Sequence, residues 1–260
     1  MAQDGKQNVK VTQLTKERFV NLFLVEYLDS GVKWTVASRR SVSELEVVSQ
    51  AKNADAINIL PYGYDKNGEI VVFMIREFRY PVNGYVLSVP AGLVEKGKDE
   101  EQTVRAEVFE EIGGRVLSVT CVDRNAYTTP GLTDEKMSFY EAEVELTGVQ
   151  HLESSEQIGI VPMRLSEIES MLENDDLLFD VKGKFALRNF ISKHRIREIS
   201  ATNDELEKTN SVLEKRNADL ERENKALAEK NARLEAELKS LRAGKTGAGK
   251  PDSGSGKGNK

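Results

Sequence analysis

The sequence predicts an α+β domain followed by a long solvated helix, and three observations carry that prediction. Runs rich in β-branched and aromatic residues alternate with tight-turn dipeptides through most of the chain up to about Ile196, helix patterns there are few, and beyond it leucine returns every seven residues among charged ones. Residues 1–17 are polar and read as a flexible segment. From Arg18 to Arg40 two strand-like runs flank Asp29, Ser30 and Gly31, the pattern of a β-hairpin. Ala56 to Tyr62 and Glu69 to Arg79 are apolar runs joined by DKNG, in which Asn67-Gly68 favours a tight turn. Gly84 to Pro90 fits a short strand. Between Asp99 and Gly113 the period becomes helical, with Asp99 and Gln102 spaced as a capping box and Gly113-Gly114 as the stop. Strand patterns return at Val116 to Cys121, Met137 to Leu146 and Ile158 to Met163, and helices are expected at Ser166 to Glu173 and Lys184 to Ile196.

Composition narrows the function. The 260 residues are 39% hydrophobic and 31% charged with a formal net charge of −6, which gives no general reason to bind nucleic acid. A small-molecule ligand is expected instead. Cys121 is the only cysteine, so no intrachain disulfide can form and a reducing compartment fits. The N-terminus MAQDGKQNVK lacks an apolar stretch, and no run of about 18 apolar residues occurs, so neither export nor membrane spanning is expected. The expected location is cytoplasmic.

Glu107, Glu110 and Glu111 stand at i, i+3 and i+4, which puts three carboxylates on one narrow helix face. Val104, Val108 and Ile112 form an adjacent apolar stripe that buries beside them. Like charges so placed repel, and a hard cation such as Mg2+ relieves that repulsion through carboxylate oxygens. Alone, ExxEE is equally the pattern of a solvated acidic face.

The segment PAGLVEKGKDEEQTVRAEVFEEIGG, Pro90 to Gly114, resembles the Nudix box, G-x5-E-x7-R-E-U-x-E-E-x-G-U with U aliphatic. Gly92, Glu107, Val108, Glu110, Glu111 and Gly113 fall on box positions without a gap. Lys98 stands in place of the first Glu, Ala106 in place of the Arg, and Gly114 in place of the last aliphatic residue. Arg105 is adjacent to the missing Arg but about 100° around the helix. The resemblance implies a Nudix α/β/α sandwich with a mixed sheet, metal held by Glu107, Glu110 and Glu111, and Mg2+ as the ion, with Mn2+ as the alternative.

The flanks resemble ADP-ribose pyrophosphatases. REFRYP at Arg76 to Pro81 implies that Arg79 contacts the diphosphate, and TTPGLTDE at Thr128 to Glu135 places Pro130 sixteen positions after Gly114, where a proline marks that substrate class. Trp34 and Arg39 match a WxxxxR element, whose Trp stacks on adenine at a dimer interface. A glutamate late in the domain acts as general base or orients water. HLESSEQIGIV offers Glu153 and Glu156, and Glu156, immediately before the last strand region, is preferred; Glu110 is counted with the catalytic groups. The implied reaction is hydrolysis of ADP-ribose or a related nucleotide sugar to AMP and ribose 5-phosphate. Two alternatives remain: a weakly active or inactive nucleotide-binding domain, motivated by Lys98 and Ala106, and an enzyme acting on another nucleotide sugar or a dinucleotide.

Ile199, Leu206, Leu213, Leu220, Leu227, Leu234 and Leu241 recur every seven residues. With these at position d, Asn203, Asn210, Asn217, Asn224 and Asn231 occupy position a, where facing asparagines bond only in a parallel, in-register pair. A homodimer is expected, joined by this coil and by the N-terminal region. The expected boundaries are residues 18–195 for the Nudix domain, 196–242 for the coiled coil and 243–260 for a disordered Gly/Lys/Ser tail.

Overall fold

The computed structural model describes residues 8–50, 53–95, 97–154 and 156–246, with side chains through 242. Two compact units emerge, Met1–Lys193 and His194–Lys260.

In the first unit, β1 (Val9–Gln13), β2 (Asn21–Tyr27) and β3 (Lys33–Ser38) form an antiparallel sheet. The hairpin expected over 18–40 is the β2–β3 pair, and Gly31 supplies the positive φ of its turn, +71°. The flexible segment expected to reach residue 17 is corrected at β1. Val9 and Val11 alternate with Lys10 and Thr12, a period of two, and five residues pair with Phe23 through Tyr27. Their polar neighbours hid that alternation. Residues 1–7 lie outside the described part.

A short helix, α1 (Glu46–Ser49), leads to the main sheet. Its strands are β4 (Ala56–Tyr64), β5 (Ile70–Arg79), β6 (Gly84–Ser88), β7 (Ala91–Leu93), β8 (Gly114–Tyr127), β9 (Lys136–Leu146) and β10 (Ile158–Arg164). The order is β10-β5-β4-β9-β8, with β6 on β5 and β7 on β4. β4 and β9 run parallel while the other pairs are antiparallel, so the sheet is mixed as expected. At the β4–β5 turn, Asp65 Oδ1 accepts from the Asn67 and Glu69 amides, and Gly68 takes φ +81°.

Alternation along the strands makes the sandwich. Ile57, Ile59 and Ile75 face α2 (Glu100–Ile112) together with Val104, Val108 and Ile112, all fully buried. Leu60, Val72 and Met74 face the opposite side, against α3 (Ile168–Leu172) and the first turns of α4 (Val181–Thr246), where Leu187 and Phe190 complete a second core. The helix expected from Lys184 begins at Val181 and continues without a break to Thr246. In the second unit its residues are solvent-facing, including Leu206, Leu213, Leu220, Leu227, Leu234 and Leu241. The tail expected from residue 243 is helical to Thr246, and residues 247–260 lie outside the described part.

Candidate active site

The carboxylate face is built by α2 and β7. Asp99 caps the helix by accepting from the Gln102 amide at 2.7 Å, and Gln102 Oε1 accepts from the Asp99 amide at 3.3 Å. Gly113, at φ +59°, ends it. Between these stops Glu107, Glu110 and Glu111 share a face. Gly92 on β7 lies so close that a Cβ there would stand 1.7 Å from Glu107 Oε1. The glycine is therefore a packing requirement of the glutamate.

Burial is what makes this face costly. Glu111 is 5% exposed, and its Oε2 is buried without a hydrogen-bond partner. Desolvation pushes its carboxyl well above the usual range, Glu107, Glu77 and Glu156 push further, and a backbone bond from Ala91 opposes them. Glu107 is raised to about 7, first by burial and then by Glu110, Glu156 and Glu153. Among the described residues no three His, Cys, Asp or Glu side chains are arranged to hold a metal ion as they stand. The carboxylates, which repel one another, would turn inward to share one. Glu111's unpartnered buried oxygen fits such a cation, and so does the oxygen-only character of the three donors.

The departures from the box resolve individually. Lys98 Nζ pairs with Glu95 Oε2 at 2.8 Å, and its charge offsets part of the upward pressure on Glu107. Arg105 turns away and donates to the Val116 carbonyl at 3.3 Å, so it does not replace the Arg absent at Ala106. At Gly114 a Cβ would approach Val108 Cγ1 to 3.1 Å, leaving little space for an aliphatic side chain.

Arg79 joins this group through Glu77: their side chains meet at 2.7 Å. Glu77, which sequence reasoning passed over, is raised by burial and interacts with Glu156, Lys182 and Asp180 as well as Arg79. Its position two residues before Arg79 on a strand, hence on the same face, was the available signal. Glu156 lies close enough to Glu107, Glu111 and Glu77 to perturb all three, and its Oε2 accepts from the Glu153 amide at 2.8 Å.

Trp34 and Pro130 come together at a second place, and Arg39 is not among the residues that line it. Trp34 and Pro130 line one cavity of about 430 Å3 with Leu45, Glu46, Tyr127 and Asp134. Trp34 Nε1 donates to the Gly131 carbonyl at 3.1 Å, and Arg39 Nε meets Glu135 Oε1 at 3.3 Å. Beneath lies a network of paired charges that the sequence did not reveal. Arg40 clasps Asp55 through two bonds of 2.8 Å and reaches Glu46 at 3.0 Å, while Lys136 Nζ binds Glu46 at 2.6 Å.

The NUDIX domain profile matches residues 52–182, which contain the capped helix, its three glutamates and Gly92. The chain belongs to the Nudix family. It is similar to the ADP-ribose pyrophosphatase of Bacillus subtilis, 26% identical over 170 residues that cover 64% of this chain and 86% of that protein. It is also similar to an uncharacterized Nudix hydrolase of Schizosaccharomyces pombe, 29% identical over 205 residues, covering 72% and 95%. The ADP-sugar pyrophosphatase of Mus musculus is 33% identical over 136 residues, covering 50% and 58%. A crystal structure of an ADP compounds hydrolase shares the fold, with a TM-score of 0.53 and 17% identity over 75% of this chain and 96% of that one. This Nudix chain is a hydrolase, and its activity class is hydrolysis of a nucleotide diphosphate. No described helix is long and apolar enough to cross a membrane.

Proposed function

We propose that this Nudix hydrolase cleaves the diphosphate of ADP-ribose or a related nucleotide sugar, releasing AMP and ribose 5-phosphate. The observation that carries the reading is the buried Glu111 carboxylate with an unpartnered oxygen, on one helix face with Glu107 and Glu110. Those three would hold Mg2+, or Mn2+ in its place. A bound divalent cation there neutralises phosphate charge and lowers the pKa of water. The protein's own groups do the rest. Arg79 offers a planar guanidinium to phosphate oxygens once it exchanges Glu77 for them. Glu156, adjoining Glu107 and Glu111, accepts a proton from or orients the attacking water. Trp34 and Pro130 receive the adenine in their shared cavity, and Arg39, held by Glu135, is the further substrate-binding residue.

The coil supports a parallel homodimer, since a lone helix would leave six regularly spaced leucines in water and five asparagines at matching positions unused. The N-terminal sheet would add to that dimer, and the lone thiol, Cys121, suits a cytoplasmic setting. A catalytically weak or inactive Nudix domain that binds a nucleotide and uses the coil for interaction is the second reading, favoured by Arg105 turning to Val116 instead of supporting the glutamates. Outer-shell orientation of this kind is worth about 10- to 100-fold.

The decisive measurement is AMP release from ADP-ribose with Mg2+, comparing wild type with Glu111→Gln. Cleavage abolished by the substitution supports the hydrolase and its metal face together. Binding without cleavage in the wild type selects the second reading, and a gain in turnover in Lys98→Glu with Ala106→Arg would then show why.

A further inference from the structure

The segment between β9 and β10 hangs from the C-terminal end of α2. A helix leaves its last carbonyls without donors of its own, and here the segment supplies them. The Thr147 amide and hydroxyl donate to the Gly113 carbonyl at 2.7 and 2.6 Å, and the His151 amide donates to the Glu110 carbonyl at 2.8 Å. Gly113 permits the approach, because a Cβ there would stand 2.3 Å from the Val149 carbonyl oxygen. Backbone capping of this kind is ordinary. Two side chains go further.

Gln150 Nε2 donates to the Glu111 carbonyl at 2.5 Å and to the Ile158 carbonyl, eight positions on, at 3.4 Å. One amide thus closes the neck of the segment that bears Glu153 and Glu156, and ties that neck to the backbone of a glutamate of the carboxylate face. His151 lays its ring on Phe109, with 4.4 Å between centroids and 14° between planes. Phe109 is 47% exposed, so the pair is not a piece of the core. The tie has something to resist. Glu153 and Glu156 both press on Glu107, and Glu156 presses on Glu111 and Glu77 as well, so like charge drives the segment off the face it adjoins.

We propose that Gln150 and the His151–Phe109 stack are positioning residues for the hydrolysis: they clasp the neck of the segment to α2 and hold Glu156 at the carboxylate face. The backbone of Glu110 and Glu111 carries the clasp while their side chains supply the acids, so one turn of helix places both partners of the reaction. This inference rests on the reading of Glu156 as the group that takes a proton from or orients the attacking water.

Hydrolysis of ADP-ribose with Mg2+ is measured on the full-length protein for Gln150→Leu, His151→Ala and His151→Phe, each made alone and together with Glu156→Gln. His151 is exposed, which keeps the test open if Gln150→Leu does not fold. Gln150→Leu and His151→Ala lower kcat by about tenfold while KM changes less than about twofold, and His151→Phe, which keeps a flat ring, restores kcat. In the Glu156→Gln background the same changes cost less than about twofold more, because the group they place is already gone. Hydrogen exchange reads the clasp without turnover. The Glu153 and Glu156 amides exchange faster in Gln150→Leu and His151→Ala than in the wild type, and the amides inside α2 do not. An undiminished kcat, a loss confined to KM, an equal loss in both backgrounds or unchanged exchange would overturn the clasp. Glu156→Gln alone with the turnover of the wild type would sink the reading of Glu156 instead, and the positioning role with it. Should the wild type leave ADP-ribose intact, the substrate reading falls, and the exchange result alone decides the clasp.

Discussion

Two groups of charged side chains are withdrawn from solvent in the first unit, and they are built on opposite plans. Around Arg40, opposite charges meet: Asp55 and Glu46 each bond the guanidinium, and Lys136 closes the group on Glu46. Around Glu111 the neighbours are Glu107, Glu77 and Glu156, all of one sign, and a buried oxygen is left unbonded. The first arrangement satisfies itself and ties the α1 region to β4 and β9. The second lowers the stability of its own fold and gains only when a cation or substrate arrives. Charge burial alone therefore does not mark a site; unanswered burial does.

The contrast can be broken most directly at its acidic end. Glu111→Gln is expected to lower the turnover of ADP-ribose by about a thousandfold, roughly 4 kcal/mol of barrier, with no loss of thermal stability. A fall in melting temperature of several degrees would instead place Glu111 in the first class. Arg40→Ala is the mirror test. It takes the cation from Asp55, leaving Glu46 to Lys136 and Tyr127, and should cost about 3 kcal/mol in urea unfolding, and a negligible loss would show the network to be surface decoration.

Adding Mg2+ sharpens the same distinction. At roughly 100 times its dissociation constant, the ion should stabilise the wild type by about 2.7 kcal/mol and Glu111→Gln far less. Equal stabilisation of both would move the metal elsewhere. The smallest effect is a pH dependence at Glu46. Burial raises its pKa, but Lys136, Arg40 and Tyr127 outweigh this, so the folded value lies below 4.5. Its contribution is fully present above pH 4.5 and is lost as pH falls through the depressed folded value. Acid unfolding of Glu46→Gln should accordingly show a shallower loss of stability across that interval, and an unchanged slope would remove Glu46 from the network's energetics.

How far the sequence reached follows from the range of each interaction. The capping box, the stop at Gly113 and the face shared by three glutamates are set within one helix, where spacing is geometry, and all were legible. Both hairpins were legible from turn dipeptides and alternation. β1 was missed because five residues flanked by polar ones carry too little periodicity to stand out. Glu77 escaped notice because its meaning depends on Glu156, brought alongside by β10 from nearly eighty positions away. The Arg40 network draws on residues 40, 46, 55 and 136, a grouping that only the parallel pairing of β4 with β9 creates. Asn58 is the sharpest instance. Inside AINILPYGY it looks like a lapse in an apolar strand, and only the fold shows it buried against a cavity.

Gly92 carries a consequence for how such a chain can drift over generations. With Glu107 Oε1 standing where its Cβ would go, any side chain at 92 forces the Glu107 carboxylate out of its present place. A lineage that acquires any side chain at 92 must shorten or displace the acid opposite, or draw strand and helix apart. The placement of the acid is thus guarded by a residue with no functional group, fifteen positions away along the chain.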